Sequence, residues 1–166
     1  MASGSAARRL AAGVVLSDRA SAGEYEDRSG PVLRRFLESW GFEALEIAVV
    51  PDDPAALEKT LDRWHAAGVS LGLASGGTGL GPRDRTPQTL DRIAEYAVPG
   101  IGEWMRAGSA KHTGSAWLSR GGAWIRRGAL IVALPGSPKA LAEILPGLGP
   151  IVEHALEMMA GKGHGP

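Results

Sequence analysis

The chain has 166 residues, 44% of them apolar and none of them cysteine. Eighteen basic and eighteen acidic side chains leave a formal net charge of zero, so bulk electrostatics gives no reason to expect a nucleic-acid partner. The missing cysteines exclude disulfides and thiolate chemistry and suit a reducing cytoplasm, and no apolar run reaches the roughly 18 residues of a membrane span.

The length suits one domain with its own core. Residues 1–9 are small and basic with no long apolar stretch behind them, and read as a disordered tail rather than a signal peptide. Residues 161–166 read as a second tail, leaving 10–160 as the domain. Leu10 to Leu16 is a buried-type strand ending at Ser17 and Asp18. Arg19 to Gly30 is polar and reads as a loop. Pro31 opens a helix whose stripe is Val32, Leu33, Phe36, Leu37 and Trp40, closed by Gly41. Phe42 to Val50 is the second strand.

Asp53 is placed to cap the next helix, with Pro54 in its first position and Gly68 at its end. Leu57, Leu61 and Trp64 line its apolar face. Val69 to Ala74 is a third strand running into a glycine loop, after which Thr86 and Pro87 read as N-cap and first residue of a helix that ends near Tyr96. Another helix covers Ile101 to about Ala110. Trp117 to Ser119 and Gly122 to Ile125 read as a ribbon turning at Arg120-Gly121, with Trp117 and Trp124 free to pack between protomers. Ala129 to Leu134 is a buried strand, Ser137 and Pro138 start a helix, and a last helix spans about Gly149 to Ala160. Strands alternating with helices predict an α/β fold, a mostly parallel sheet between two helical layers.

The chemistry centres on the loop from Ser75 to Asp84, with glycines at 76, 77, 79 and 81. Glycine leaves no Cβ between backbone and ligand, and successive free amides form an anion nest. Arg83 and Arg85 add forked positive charge. Asp84 is an anion among anion-binding groups, a conflict that Mg²⁺ bridging carboxylate and phosphate resolves. The loop matches neither the Walker A pattern nor G-x-G-x-x-G. Asp53 has a capping role in its turn, whereas Asp52 has no local role of its own. Gly136 and Ser137 at a helix start form a second anion site. The loops after Leu16, Val50, Ala74 and Leu134 all leave carboxyl ends of strands, where open parallel sheets gather ligands. Gly68-Val-Ser70-Leu-Gly72 matches G-x-S-x-G, but a strand follows it rather than a helix, so it is no nucleophile elbow. His65, His112, His154 and His164 lack metal-ligand spacing. From the residues alone, the protein handles a phosphate-bearing ligand with Mg²⁺.

Ser75-Gly-Gly-Thr-Gly-Leu-Gly-Pro-Arg-Asp84 resembles the signature of the molybdopterin adenylyltransferase family, the MogA/MoaB-type molybdenum cofactor biosynthesis domain. Ser17-Asp-Arg-Ala-Ser-Ala-Gly23, Glu26-Asp-Arg-Ser-Gly-Pro31, Val50-Pro-Asp52, Val98-Pro-Gly100, Leu118-Ser-Arg120 and Leu134-Pro-Gly-Ser-Pro-Lys139 agree with it, so the similarity runs from about Ala12 to about Met159. The resemblance implies a three-layer α/β/α fold, a homotrimer, and transfer of AMP from Mg-ATP to the terminal phosphate of molybdopterin. It implies that Asp52 and Asp84 are catalytic and hold Mg²⁺ on the nucleotide. It places Ser75, Gly76, Gly77, Thr78, Gly79, Gly81 and Arg83 on nucleotide or pterin phosphates, together with Ser17 and Asp18. Pro135, Gly136 and Ser137 join them, and Ser119 and Arg120 border the pterin. A downstream molybdate-insertion protein is the implied partner, in the cytoplasm. Two other readings stay open: a non-catalytic MoaB-like binding trimer, and a CinA-related pyrophosphate hydrolase. Arg85 and Gln88 depart from the family pattern, which usually has an apolar residue and an acid there.

Overall fold

The computed structural model describes residues 9–162. The expected tails lie outside these residues except at their inner ends. Arg9 is held, its Nη2 donating to Glu153 at 3.1 Å and its guanidinium lying over the Phe42 ring.

In chain order the elements are β1 (Leu10–Leu16), α1 (Asp18–Ser21), α2 (Ser29–Ser39), β2 (Glu43–Val50), α3 (Pro54–Ala67), β3 (Leu71–Ser75) and α4 (Thr86–Ile93). There follow β4 (Tyr96–Ala97), α5 (Pro99–Ser109), a 3₁₀ turn (Gly114–Leu118), β5 (Gly122–Arg126), β6 (Ala129–Leu134) and α6 (Pro138–Met159). The six strands form one sheet in the order β2-β1-β3-β6-β5-β4. The first four run parallel, and β5 and β4 extend the sheet antiparallel.

Alternation along the central strands divides the core. Ala11, Val15, Leu71, Leu73 and Val132 pack under α2, α5 and α6. Ala12, Val14, Ala74, Ile131 and Ala133 pack against Leu57, Leu61 and Trp64 of α3 and Leu90 of α4. Two helical layers therefore enclose the sheet. Gly72 is required inside β3, because a Cβ there would meet the Trp64 ring at 2.6 Å. The G-x-S-x-G match is accordingly a helix cap followed by a strand: Gly68 closes α3 at φ 79°, and Ser70 Oγ donates to Leu10 O.

Several local expectations need correction. The segment after Asp18 is not all loop, since α1 forms on Ser17 as N-cap. Thr86 is not an N-cap. It lies within α4, and its Oγ1 donates to Gly76 O at 2.9 Å. Trp117 to Ser119 do not form a strand; Trp117 and Leu118 lie in the 3₁₀ turn. The ribbon is β5–β6, turning at Arg127-Gly128, where φ is 47° and 78°. Positive φ at both central residues suits a hairpin turn whose twist matches its strands. Trp124 is buried and its indole donates to Asp91 at 2.8 Å, so it is not free for a partner chain.

The final helix is continuous over 22 residues despite Pro146 and Pro150. Both prolines sit on its exposed side, so the carbonyls they deprive of a donor lie where water reaches. Leu141, Ile144, Leu145, Leu148, Val152 and Leu156 keep one stripe in the core across the interruption.

Candidate functional site

The loops after β1, β2, β3 and β6 meet over the carboxyl ends of the parallel strands. They enclose a cleft of about 960 Å³. Ser17, Asp52, Gly76, Gly77, Thr78 and Gly79 line it. Asp84, Ser119, Pro135, Gly136 and Ser137 complete the predicted set that reaches it.

The glycine loop has a definite polarity. Its carbonyls are taken by protein donors: Gly76 O by Thr86 Oγ1, Gly77 O by Thr86 N, Thr78 O by Arg120 N and Gly79 O by Arg120 Nε. The amides of Gly77, Thr78, Gly79 and Leu80 have no acceptor among the described residues. Gly136 and Ser137 amides are likewise unpaired. Two rows of open donors therefore border one cleft, the arrangement that binds anions.

The glycines serve the loop's own packing. At Gly77, φ is 66° and a Cβ would collide with Thr86 Oγ1. At Gly79 and Gly81 a Cβ would meet Asp84 Oδ2 at 2.8 Å. The space expected to admit a ligand is thus filled by Thr86 and Asp84, and it is the amides that are left for one.

Asp84 is not salt-bridged to a neighbouring arginine. Its Oδ2 accepts the Gly81 amide at 2.8 Å, and its backbone carbonyl accepts Arg120 Nη2 at 2.6 Å. Asp52 does have a local role. Its Oδ2 accepts Asp18 N while its own amide donates to Asp18 Oδ1, both at 3.0 Å. Arg83 then grips Asp18, with Nε to Oδ2 at 2.9 Å and Nη2 to Oδ1 at 2.8 Å. Hydrogen bonds from Arg83 hold the Asp18 carboxyl below its ordinary 3.8. Burial holds Asp52 above 3.8, and the charges of Asp18 and Asp84 push the same way.

Asp18, Ser75, Gly81, Arg83 and Arg120 do not line the cleft. Ser75 is fully buried and its Oγ donates to Pro135 O at 2.8 Å. Arg120 binds three carbonyls of the 78–84 segment and acts as a clamp on it. Sequence reasoning missed Tyr25, Asp27 and Ser29, which line the cleft. Asp27 accepts the amides of Ser29 and Gly30 at the start of α2, and Ser29 Oγ donates to Gly136 O. Asp27 and Ser29 stand in the Glu26–Pro31 motif, whose four polar residues in a row before Gly30-Pro31 in the first turn of α2 were the available signal.

Mg²⁺ prefers oxygen ligands and keeps several from phosphates and water. Oδ1 of Asp52 and Oδ1 of Asp84 make no hydrogen bond among the described residues, so each carboxylate has an oxygen to offer. Among those residues no cluster of three or more His, Cys, Asp and Glu stands ready to hold a metal alone. The donor set fits an ion carried in with a phosphate ligand.

A family profile described as a probable molybdopterin binding domain matches residues 12–154. The chain belongs to that family. This domain is 40% identical over 152 residues to a molybdenum cofactor biosynthesis bifunctional protein of Synechococcus elongatus, covering 92% of the chain and 48% of the relative. It thus spans about half the length of that relative. It is 40% identical to the molybdopterin adenylyltransferase of Escherichia coli K12, covering 86% of the chain and 77% of that protein. A solved structure of MogA superposes with a TM-score of 0.86 at 36% identity, covering 91% of this chain and 99% of the other. No helix among the described residues is long and apolar enough to cross a membrane.

Proposed function

We propose that the protein transfers AMP from ATP to the terminal phosphate of molybdopterin. The observation that carries this reading is the run of four acceptor-free amides, Gly77 to Leu80, in the cleft that also holds Asp52 and Asp84. The names of its relatives supply the substrates, and the site supplies the means.

A phosphate oxygen of molybdopterin attacks the α-phosphorus, and the bond from that phosphorus to pyrophosphate breaks. Nucleotidyl transfer of this kind depends on positioning and charge neutralisation more than on protein covalent chemistry. The amides of Gly77 to Leu80 hold one set of phosphate oxygens, and those of Gly136 and Ser137 hold another. Arg120 keeps the loop carbonyls turned away, so the amides stay presented. Asp52 and Asp84 would hold Mg²⁺, which supplies charge neutralisation on the transferring phosphates.

We further infer a homotrimer in the cytoplasm that passes adenylated molybdopterin to a molybdate-insertion protein. Trp117, 61% exposed, and Leu118, 58% exposed, provide apolar surface for contact between copies. The deciding assay supplies Mg-ATP and molybdopterin and identifies products by mass. Adenylated molybdopterin with stoichiometric pyrophosphate supports the reaction. Binding without pyrophosphate release makes the protein a carrier, and hydrolysis of ATP without adenylation makes it a hydrolase.

A further inference from the structure

The cleft presents amides for phosphate, yet its charged side chains are mostly acidic. Glu26, Asp27, Asp52 and Asp84 line it, and Arg28 is the one cationic side chain among the described residues that lines it with them. Other arginines of the surrounding segments are engaged elsewhere. Arg83 grips Asp18, Arg19 pairs with Glu24, and Arg120 holds loop carbonyls. Arg28 is exposed, with no hydrogen bond or ion pair from its side chain among the described residues. It stands at the N-cap position of α2, but the capping falls to Asp27, which accepts the amides of Ser29 and Gly30. Ser29 is buried and its Oγ donates to Gly136 O. That bond ties the backbone next to Arg28 to the wall that carries the Gly136 and Ser137 amides. The fold thus anchors the base of this side chain and leaves its guanidinium without a structural task.

We propose that Arg28 is a catalytic residue that binds the pyrophosphate end of ATP and neutralises it as it leaves. The inference rests on AMP transfer being the reaction. In that step a phosphate oxygen of molybdopterin forms the new bond to the α-phosphorus. The oxygen between the α- and β-phosphorus leaves with the bonding electron pair. Negative charge therefore grows on the departing pyrophosphate, and a cation placed on it contributes most in the transition state. The open amides supply only partial charge, and the carboxylates that line the cleft add charge of the wrong sign. A guanidinium keeps its full charge at any working pH and presents its N–H groups as a fork that fits two phosphate oxygens. Pyrophosphate must also depart into water, and Arg28 is an exposed residue of the cleft. Held on the α-phosphate instead, it would bind AMP as firmly as pyrophosphate, so the two placements separate by experiment.

The test titrates Mg-pyrophosphate and AMP separately into wild-type protein, Arg28→Gln and Arg28→Lys. Wild type should bind both. Arg28→Gln should lose pyrophosphate affinity by roughly tenfold or more, the scale of a charge-assisted contact, with AMP affinity unchanged. Arg28→Lys keeps the charge without the fork and should fall between the two. Melting temperatures should match, because the side chain makes no hydrogen bond or ion pair in the fold. Should Arg28→Gln unfold, Arg28→Lys alone still decides, by losing pyrophosphate affinity and not AMP affinity. Equal losses for the two ligands, a loss for AMP alone, no loss for either, or a wild-type protein that does not bind Mg-pyrophosphate overturns the assignment. These titrations need no turnover. A wild-type protein that binds pyrophosphate through Arg28 but transfers no AMP counts against the proposed reaction and leaves the pyrophosphate contact in place.

Discussion

Asp18 and Asp52 exchange hydrogen bonds, each backbone amide donating to the other's carboxylate at 3.0 Å. The exchange ties the loop after β1 to the loop after β2. It also divides the Asp52 carboxylate, with Oδ2 held by the fold and Oδ1 left over.

Asp52→Asn keeps an oxygen for the Asp18 amide and removes the charge. Folding should survive, and AMP transfer at saturating substrate should fall by roughly a hundredfold or more. Asp84→Asn should do the same, because its retained oxygen can still accept the Gly81 amide. Asp53→Ala should behave oppositely. Asp53 accepts Ala56 N at 2.9 Å and only caps α3, so its loss should cost about 0.5–2 kcal/mol of stability with turnover nearly intact. Denaturation curves and AMP-transfer rates across a Mg²⁺ titration check all three. Near-normal turnover in Asp84→Asn removes the catalytic assignment.

Arg120 is a positioning residue. Arg120→Ala leaves Gly79 O and Asp84 O without their donors, so stability should fall by about 1–3 kcal/mol. Nucleotide affinity should fall with it, because the amides are no longer presented in register. Arg120→Lys can reach one carbonyl but not both in a fixed fork, and should recover only part of each loss. Isothermal titration with Mg-ATP beside thermal unfolding measures the pair of effects. Unchanged affinity in Arg120→Ala would mean that the loop holds its shape unaided.

The two glycine sites should respond differently to a methyl group. Gly77→Ala forces a side chain onto a φ of 66° and into Thr86, so it should lower the melting temperature as well as binding. At Gly136 a Cβ meets only the Gly76 Cα at an ordinary 3.5 Å. Gly136→Ala should therefore melt within a few degrees of wild type. Any loss of anion affinity in that variant then reports on the cleft and not on folding.

Arg126 is buried, with its Nη2 on Asp62 Oδ1 at 2.6 Å. The hydrogen bond from Arg126 holds the Asp62 carboxyl below its ordinary 3.8. A depressed carboxylate adds stability above its unfolded-state value and loses it as pH falls through its folded-state value. Wild type should thus exceed Asp62→Asn in urea resistance near neutrality, and the gap should close as pH drops below 3.8. A gap that stays constant down to acid would show that the charge of Asp62 contributes nothing.

For assembly, multi-angle light scattering should give three chain masses, and Trp117→Glu should lower that number if the 3₁₀ turn lies in the contact. A single chain mass for the wild-type protein refutes the trimer.

Much of the fold was legible because local signals and tertiary demands agree. The β1 run from Leu10 to Leu16 matches the strand, and Asp53-Pro54 and Ser137-Pro138 start helices as their chemistry predicts. The misreadings have physical causes. Thr86 looks like a cap, but its hydroxyl is drawn to Gly76 O ten residues earlier. Gly149 and Pro150 look like a helix boundary, but the stripe from Leu141 to Leu156 overrides them. In the site, Asp84 set among the glycine-loop amides pointed to phosphate and metal, and the family resemblance added Asp52. The work of Arg120 was not legible, since its acceptors are backbone carbonyls that only the folded loop brings to it.

The two hydrogen bonds that set the β6 loop have a consequence for how the protein is made. Ser75 Oγ reaches Pro135 O across 60 residues, and Ser29 Oγ reaches Gly136 O across 107. Contacts so distant along the chain carry a loop-closure cost that must be met before they can form. A nascent chain that has completed β1 through α4 already carries the glycine loop and both aspartates, yet it lacks the second wall against which a phosphate would be held. On the proposed reading, capture of a phosphate ligand therefore needs β6 and the first turn of α6 as well as the glycine loop.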